Sequence, residues 1–139
     1  MTLYFDTSAL VKLVVIEDGS ELAAELWATR HPAASSILSY PEGRAALAAA
    51  QRTGRLTARA HRSALEDFEA THGQLVIVGI DAALARHAGE LADALGRRGY
   101  DGVHLASAVA FGAETTFVTW DRDLGRAAME MGCAVAPVP

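Results

Sequence analysis

Cysteine is nearly absent: Cys133 stands alone in 139 residues. No internal disulfide is possible, which suits a reducing compartment such as the cytoplasm. No apolar run approaches the length of a transmembrane helix, so no membrane association is expected. Lysine is represented only by Lys12, and the formal net charge is −5, so bulk charge does not advertise a nucleic-acid binder. The opening residues Met1 to Phe5 carry no basic stretch and lead straight to Asp6, unlike a secretory signal. Linkers, low-complexity tracts and internal repeats are missing as well. What is present is a 51% hydrophobic composition, which excludes a disordered chain. The length fits a single domain over residues 1–139.

Short apolar runs alternate with longer helical stretches. Leu3–Phe5 reads as a strand ending at Asp6. Ser8–Val15 and Ser20–Thr29 read as helices parted by Glu17-Asp18-Gly19, and Ala33–Leu38 as a weaker strand. Ser39 is an N-cap candidate for a helix to Arg52, with Glu42 at the capping-box spacing. Thr57 to about Ala70 is a further helix. Leu75–Ile80, β-branched and uncharged, is the clearest strand. Asp81 caps a helix over Ala82–Leu95, stopped by Gly96, and Asp101 opens another over Val103–Phe111. Thr116–Thr119 is a strand, Leu124–Met131 a helix and Cys133–Ala136 a last strand. Strands separated by helices pair in parallel through crossovers. Their mostly apolar character implies helices on both faces. The expected fold is a three-layer α/β/α domain around a mostly parallel sheet of four or five strands.

The informative residues are acids at the transitions. Asp6 follows a strand, Glu42 and Asp101 begin helices, and Asp121 and Asp123 lie between strand and helix. Each alone is explained by capping or by the helix dipole. Together they mean more. Strand C-termini and the helix N-termini that follow open at one edge of a parallel sheet, where ligands collect. Carboxylates gathered there repel one another unless a cation neutralises them. An oxygen-only donor set without a matching His/Cys group favours Mg²⁺ or Mn²⁺ over zinc. Such a site suits phosphodiester hydrolysis. Thr7, Ser8 and Thr119 flank the acids and can orient them, or serve only turns and caps.

Four segments resemble the PIN-domain nucleases, and most closely their VapC-type toxins. These are Asp6-Thr7-Ser8-Ala9-Leu10-Val11-Lys12 and Ser36 to Leu47 around Tyr40-Pro41-Glu42-Gly43-Arg44. With them go Tyr100-Asp101-Gly102-Val103-His104-Leu105-Ala106 and Phe117-Val118-Thr119-Trp120-Asp121-Arg122-Asp123-Leu124. They follow the family order and run almost end to end, with Pro41 a mild departure. The resemblance implies a PIN-like fold and a catalytic set of Asp6, Glu42, Asp101 and Asp121. In it Asp6, Asp101 and Asp121 bind metal. Ser8 and Thr119 are accessory, as is Asp123, which is either a fifth member or a substitute for Asp121. It further implies Mg²⁺ or Mn²⁺, an RNA substrate, a homodimer, and a cognate antitoxin protein that blocks the site.

Several arginines are candidates for a basic rim that holds RNA phosphates, Arg44 and Arg122 first because each neighbours a site acid; Arg97, Arg98 and Arg126 are others. Each also fits a solvated face. His104, one turn after Asp101, reads as a core or interface histidine rather than a base. Trp27, Trp120 and Cys133 read as packing residues. The expected function is a metal-dependent endoribonuclease toxin. The alternative is a non-catalytic RNA- or protein-binding module on the same fold, against which a complete acid set argues. A dehalogenase-type phosphatase would place a second Asp two residues after Asp6, where Ser8 stands. A receiver domain would require a late lysine that the chain lacks.

Overall fold

The structure, a computed structural model, describes residues 1–139. In chain order the elements are β1 (Thr2–Phe5), α1 (Thr7–Val14), α2 (Ser20–Trp27), β2 (Ala33–Ser36), α3 (Ser39–Arg52) and α4 (Ala58–His72). They continue as β3 (Val76–Val78), α5 (Ala82–Leu95), α6 (Gly99–Ala110), β4 (Thr115–Val118), α7 (Arg122–Glu130) and β5 (Ala134–Ala136). The five strands form one parallel sheet in the order β3-β2-β1-β4-β5. No helix is long and apolar enough to cross a membrane.

Side chains of β1 alternate between two cores, as the pleat requires. Leu3 and Phe5 pack with Ala9 and Leu10 of α1, Leu47 of α3, and Ala64 and Phe68 of α4. Tyr4, between them, packs on the other face with Leu105 and Ala108 of α6 and with Leu124, Ala127 and Ala128 of α7. The sheet is thus covered on both faces, giving the three layers expected. The strand order grows from β1 in one direction through β2 and β3, and in the other through β4 and β5. The seam between β1 and β4 is therefore the topological switch point, where the crossovers part and leave a crevice beyond the strand ends.

Local chemistry explains most boundaries. Asp6, Thr57, Asp81 and Asp121 each cap a helix by accepting a backbone N–H with the side chain. Gly96 closes α5 in the left-handed conformation, φ 62°. Three expectations need correction. The capping box at α3 does not form: Leu38 is the cap residue, the Ser39 hydroxyl donates to the Ser36 carbonyl at 2.7 Å, and Glu42 is engaged elsewhere. The helix carrying Asp101 begins at Gly99, so Asp101 lies inside its first turn rather than at its cap. The stretch 75–80 supplies only the three-residue edge strand β3, with Val76 54% and Ile80 42% exposed. β-Branching there marks strand propensity, whereas strand length is set by how much of β2 is available to pair.

Candidate active site

Asp6 directly follows β1 and caps α1, and both of its oxygens are occupied. Oδ1 accepts from the Ala9 N–H at 3.0 Å and from the Ser8 hydroxyl at 2.6 Å; Oδ2 accepts from the Thr119 hydroxyl at 2.5 Å. Thr119 reaches it because Phe5 pairs with Val118 across the β1–β4 seam. The hydroxyls also tie the β4–α7 connection to α1. Ser8 accepts from the Trp120 N–H at 2.9 Å, and Thr119 accepts from the Asp121 N–H at 3.0 Å. Asp6 is buried, and that burial raises its pKa above the ordinary carboxylate range, against the opposing pull of His104 and the three donors.

Glu42, in the first turn of α3, presents Oε1 to two donors: the Thr7 hydroxyl at 2.7 Å and His104 Nε2 at 2.6 Å. On the far side of the imidazole, Nδ1 lies 2.8 Å from the Tyr4 hydroxyl. Burial holds that phenol far above its usual titration range, so it keeps its proton beside Nδ1. An ionised Glu42 can only accept, so the hydrogen between it and Nε2 belongs to the ring. Burial alone would raise the Glu42 pKa; the hydrogen bond and charge of His104 and the Thr7 hydroxyl outweigh it, and the carboxyl titrates below its ordinary value.

Asp101, 3% exposed, accepts at Oδ2 from Arg97 Nη2 and Arg98 Nε, both at 3.1 Å. Asp121 accepts the Leu124 N–H at Oδ1, while its Oδ2 lies 3.9 Å from Arg98 Nη2. Glu42 Oε2 and Asp101 Oδ1 take no hydrogen bond within the chain. Asp6, Glu42, Asp101 and Asp121 line one cleft of about 120 Å³, with Thr7, Ser8, His104 and Arg98 in its wall. They come from β1, α3, α6 and the β4–α7 connection, at the switch point.

The remaining candidates fall outside the cleft lining. Asp123 pairs with Arg126 at 3.1 Å and is exposed. Arg44 is held by Glu69 and the Tyr40 hydroxyl, each at 3.1 Å. Arg122 lines a neighbouring hollow of about 270 Å³ with Thr119, Trp120 and Pro139. The basic residue at the cleft itself is Arg98, backed by Arg97. His104 is buried, as expected, yet its ring grips a site acid. Tyr4, which reaches the site through that ring, carries no signal in the sequence beyond the rule that a buried phenol needs a partner.

The donor set fits a hard divalent ion. It is carboxylate oxygen, and the one adjacent imidazole has both nitrogens engaged, which disfavours zinc. With the side chains as placed, no three His, Cys, Asp or Glu groups are close enough to grip an ion together. Arginine neutralises Asp101 instead.

Comparison with known proteins identifies the family and the fold. The sequence profile of the family described as PIN domain matches residues 3–129. The ribonuclease VapC45 of Mycobacterium tuberculosis (strain CDC 1551 / Oshkosh) is 48% identical over 135 residues, covering 96% of this chain and 94% of that protein. VapC20 of Mycobacterium tuberculosis, a solved structure described as a sarcin–ricin loop cleaving toxin, superposes with a TM-score of 0.67 at 20% identity, covering 90% of this chain and 94% of that one. VapBC2 from Rickettsia felis, solved bound to a DNA fragment from its promoter, superposes with a TM-score of 0.66 at 19% identity and covers 97% of both chains. At such identities the two structures speak for the fold alone.

Proposed function

This chain belongs to the PIN domain family, in the branch of the VapC ribonucleases, and from that membership we propose that it is a divalent-metal-dependent endoribonuclease, the toxin of a toxin–antitoxin pair. The observation that carries the reading is the meeting of Asp6, Glu42, Asp101 and Asp121, from four separate parts of the chain, on one small cleft. Asp6, Asp101 and Asp121 are the residues to hold Mg²⁺ or Mn²⁺. The ion, when bound, offsets the carboxylate charge and that developing on a phosphodiester, and acidifies attacking water. Ser8 and Thr119 fix both oxygens of Asp6, so that acid is set before substrate arrives. Glu42 is kept ionised by His104 and Thr7, with Oε2 left to orient water and take its proton. Arg98 and Arg122, at the cleft and beside it, are placed to hold flanking RNA phosphates.

Two surfaces suit the partners. A groove of about 780 Å³ runs between α1, α2 and α4, lined by Leu13, Val14, Ile16, Ala24 and Leu56, with Ile16 99% exposed. We assign it to an apolar segment of the antitoxin. The exposed Ile80 and Val109, near the hollow bordered by Val78, Leu84 and Ala106, suit the contact of a homodimer. The free Cys133 fits the cytoplasm as the compartment.

The test is cleavage of RNA by the purified chain. Cleavage is expected only with Mg²⁺ or Mn²⁺, and Asp6→Asn or Asp101→Asn is expected to abolish it. Cleavage that survives EDTA overturns the role given to the metal, and full activity in both variants overturns the site.

A further inference from the structure

Arg98 bridges two of the acids assigned to the ion. Its Nε donates to Asp101 Oδ2 at 3.1 Å, and its Nη2 lies 3.9 Å from Asp121 Oδ2. Its guanidinium also sits over the face of Tyr100, 4.6 Å from the ring centroid. A second guanidinium holds the same oxygen of Asp101: Arg97 Nη2, at 3.1 Å. The two arginines differ in setting. Arg97 is 20% exposed, whereas Arg98 is 59% exposed. Asp101, almost wholly buried, needs a permanent counter-charge, and Arg97 supplies it. Arg98 is the partner free to leave. Its ion pairs are solvated and weak, and the Tyr100 ring already lies under its charge independently of them.

We propose that Arg98 is an exchangeable counter-ion of the acid cleft: it spans Asp101 and Asp121 while no metal is held, and both carboxylates must be released by it before a divalent ion can be gripped. The inference rests on the reading of this cleft as the divalent-ion site. It explains how acids can be gathered at the switch point, and Asp101 buried, since the guanidinium offsets their charge. With the guanidinium 3.1 Å from Asp101 Oδ2 and 3.9 Å from Asp121 Oδ2, no three donors lie in gripping distance of one ion. Metal affinity is then set by a competition within the chain, and loss of an arginine from the site improves binding of the ion. A residue that merely supported the cleft would do the reverse.

The experiment is calorimetric titration of the purified chain with Mn²⁺, in the wild type, Arg98→Gln, Asp101→Asn and Arg86→Gln. Arg86 is an exposed arginine on α5, outside the cleft lining, and removes the same charge. Arg98→Gln is expected to bind Mn²⁺ roughly threefold to tenfold more tightly than wild type, the range for a solvated pair that includes charge-assisted hydrogen bonds. Asp101→Asn is expected to lose binding, and Arg86→Gln to leave it unchanged. Melting with and without Mn²⁺ checks folding: Arg98→Gln should gain more from the ion than wild type does. Equal or weaker Mn²⁺ binding by Arg98→Gln, with Asp101→Asn defective, overturns the inference and leaves the metal-site reading standing. Equal tightening by Arg86→Gln also overturns it, as an effect of general charge. Absence of binding in wild type and Arg98→Gln alike overturns the metal-site reading, and the inference with it.

Discussion

Asp6 performs three tasks with two oxygens: it caps α1, links β1 to β4 through Thr119, and contributes to the acid cleft. Its burial raises its folded pKa, so the folded chain binds the proton more tightly than the unfolded one. Stability therefore falls as pH rises from the unfolded value toward and through the raised folded value, and the full cost is present above that window. Asn caps helices as well as Asp does. Asp6→Asn keeps the cap and removes the buried charge, and is thus expected to melt above wild type at neutral pH without metal. The gap should close on acidification in a pH series of thermal melts. Glu42 has the opposite sign: its lowered folded pKa stabilises the chain above the unfolded value, and that part is lost as pH falls through the folded one. His104 acts on the site through Glu42. Tyr4→Phe leaves its Nδ1 without a partner and is expected to cost about 1–3 kcal/mol in urea unfolding. It should lower kcat while leaving KM for RNA in place. The acids were legible at this scale because Asp and Glu at strand–helix transitions announce themselves. The grip of His104 was not, because a histidine in an apolar helix face reads as core, and the partner that redefines it lies 62 positions away.

At the scale of elements, the cleft depends on how closely α5 and α6 approach. A Cβ built on Gly102 would fall 2.2 Å from the Ala88 carbonyl oxygen, backbone that cannot step aside. Gly102→Ala must therefore push α6 away from α5 and carry its neighbour Asp101 with it. The expected outcome is a loss of about 1–3 kcal/mol together with a large fall in activity, measured by denaturation and RNA cleavage. Gly43 presents the same problem beside Glu42, where a Cβ would fall 2.3 Å from the Phe68 ring, although a ring tip can yield where backbone cannot. Helix existence and the end signals at Asp81, Asp121 and Gly96 were readable, since those signals are local; the caps supplied by Asp6 and Thr57 were not read as such. The capping box at Glu42 and the length of β3 were misread for one reason. Both are decided by partners from elsewhere in the chain: Thr7 and His104 in the first case, β2 in the second.

Over the whole molecule, the alternation of strand and helix implied a parallel sheet covered on both faces, and the structure has that form. Strand order cannot be read from alternation alone, and here it decides everything, because β4 rather than β2 meets Asp6 through Thr119. The β1–β4 seam also governs when the cleft comes into being. Asp6 is made long before its hydroxyl partner Thr119 and Asp121, which lie beyond β4 in the chain. A growing chain on the ribosome holds only part of its cutting apparatus until the β4–α7 connection has been made. An enzyme that destroys RNA then lacks a complete acid cleft to turn on the message and machinery producing it until that stage of its own translation.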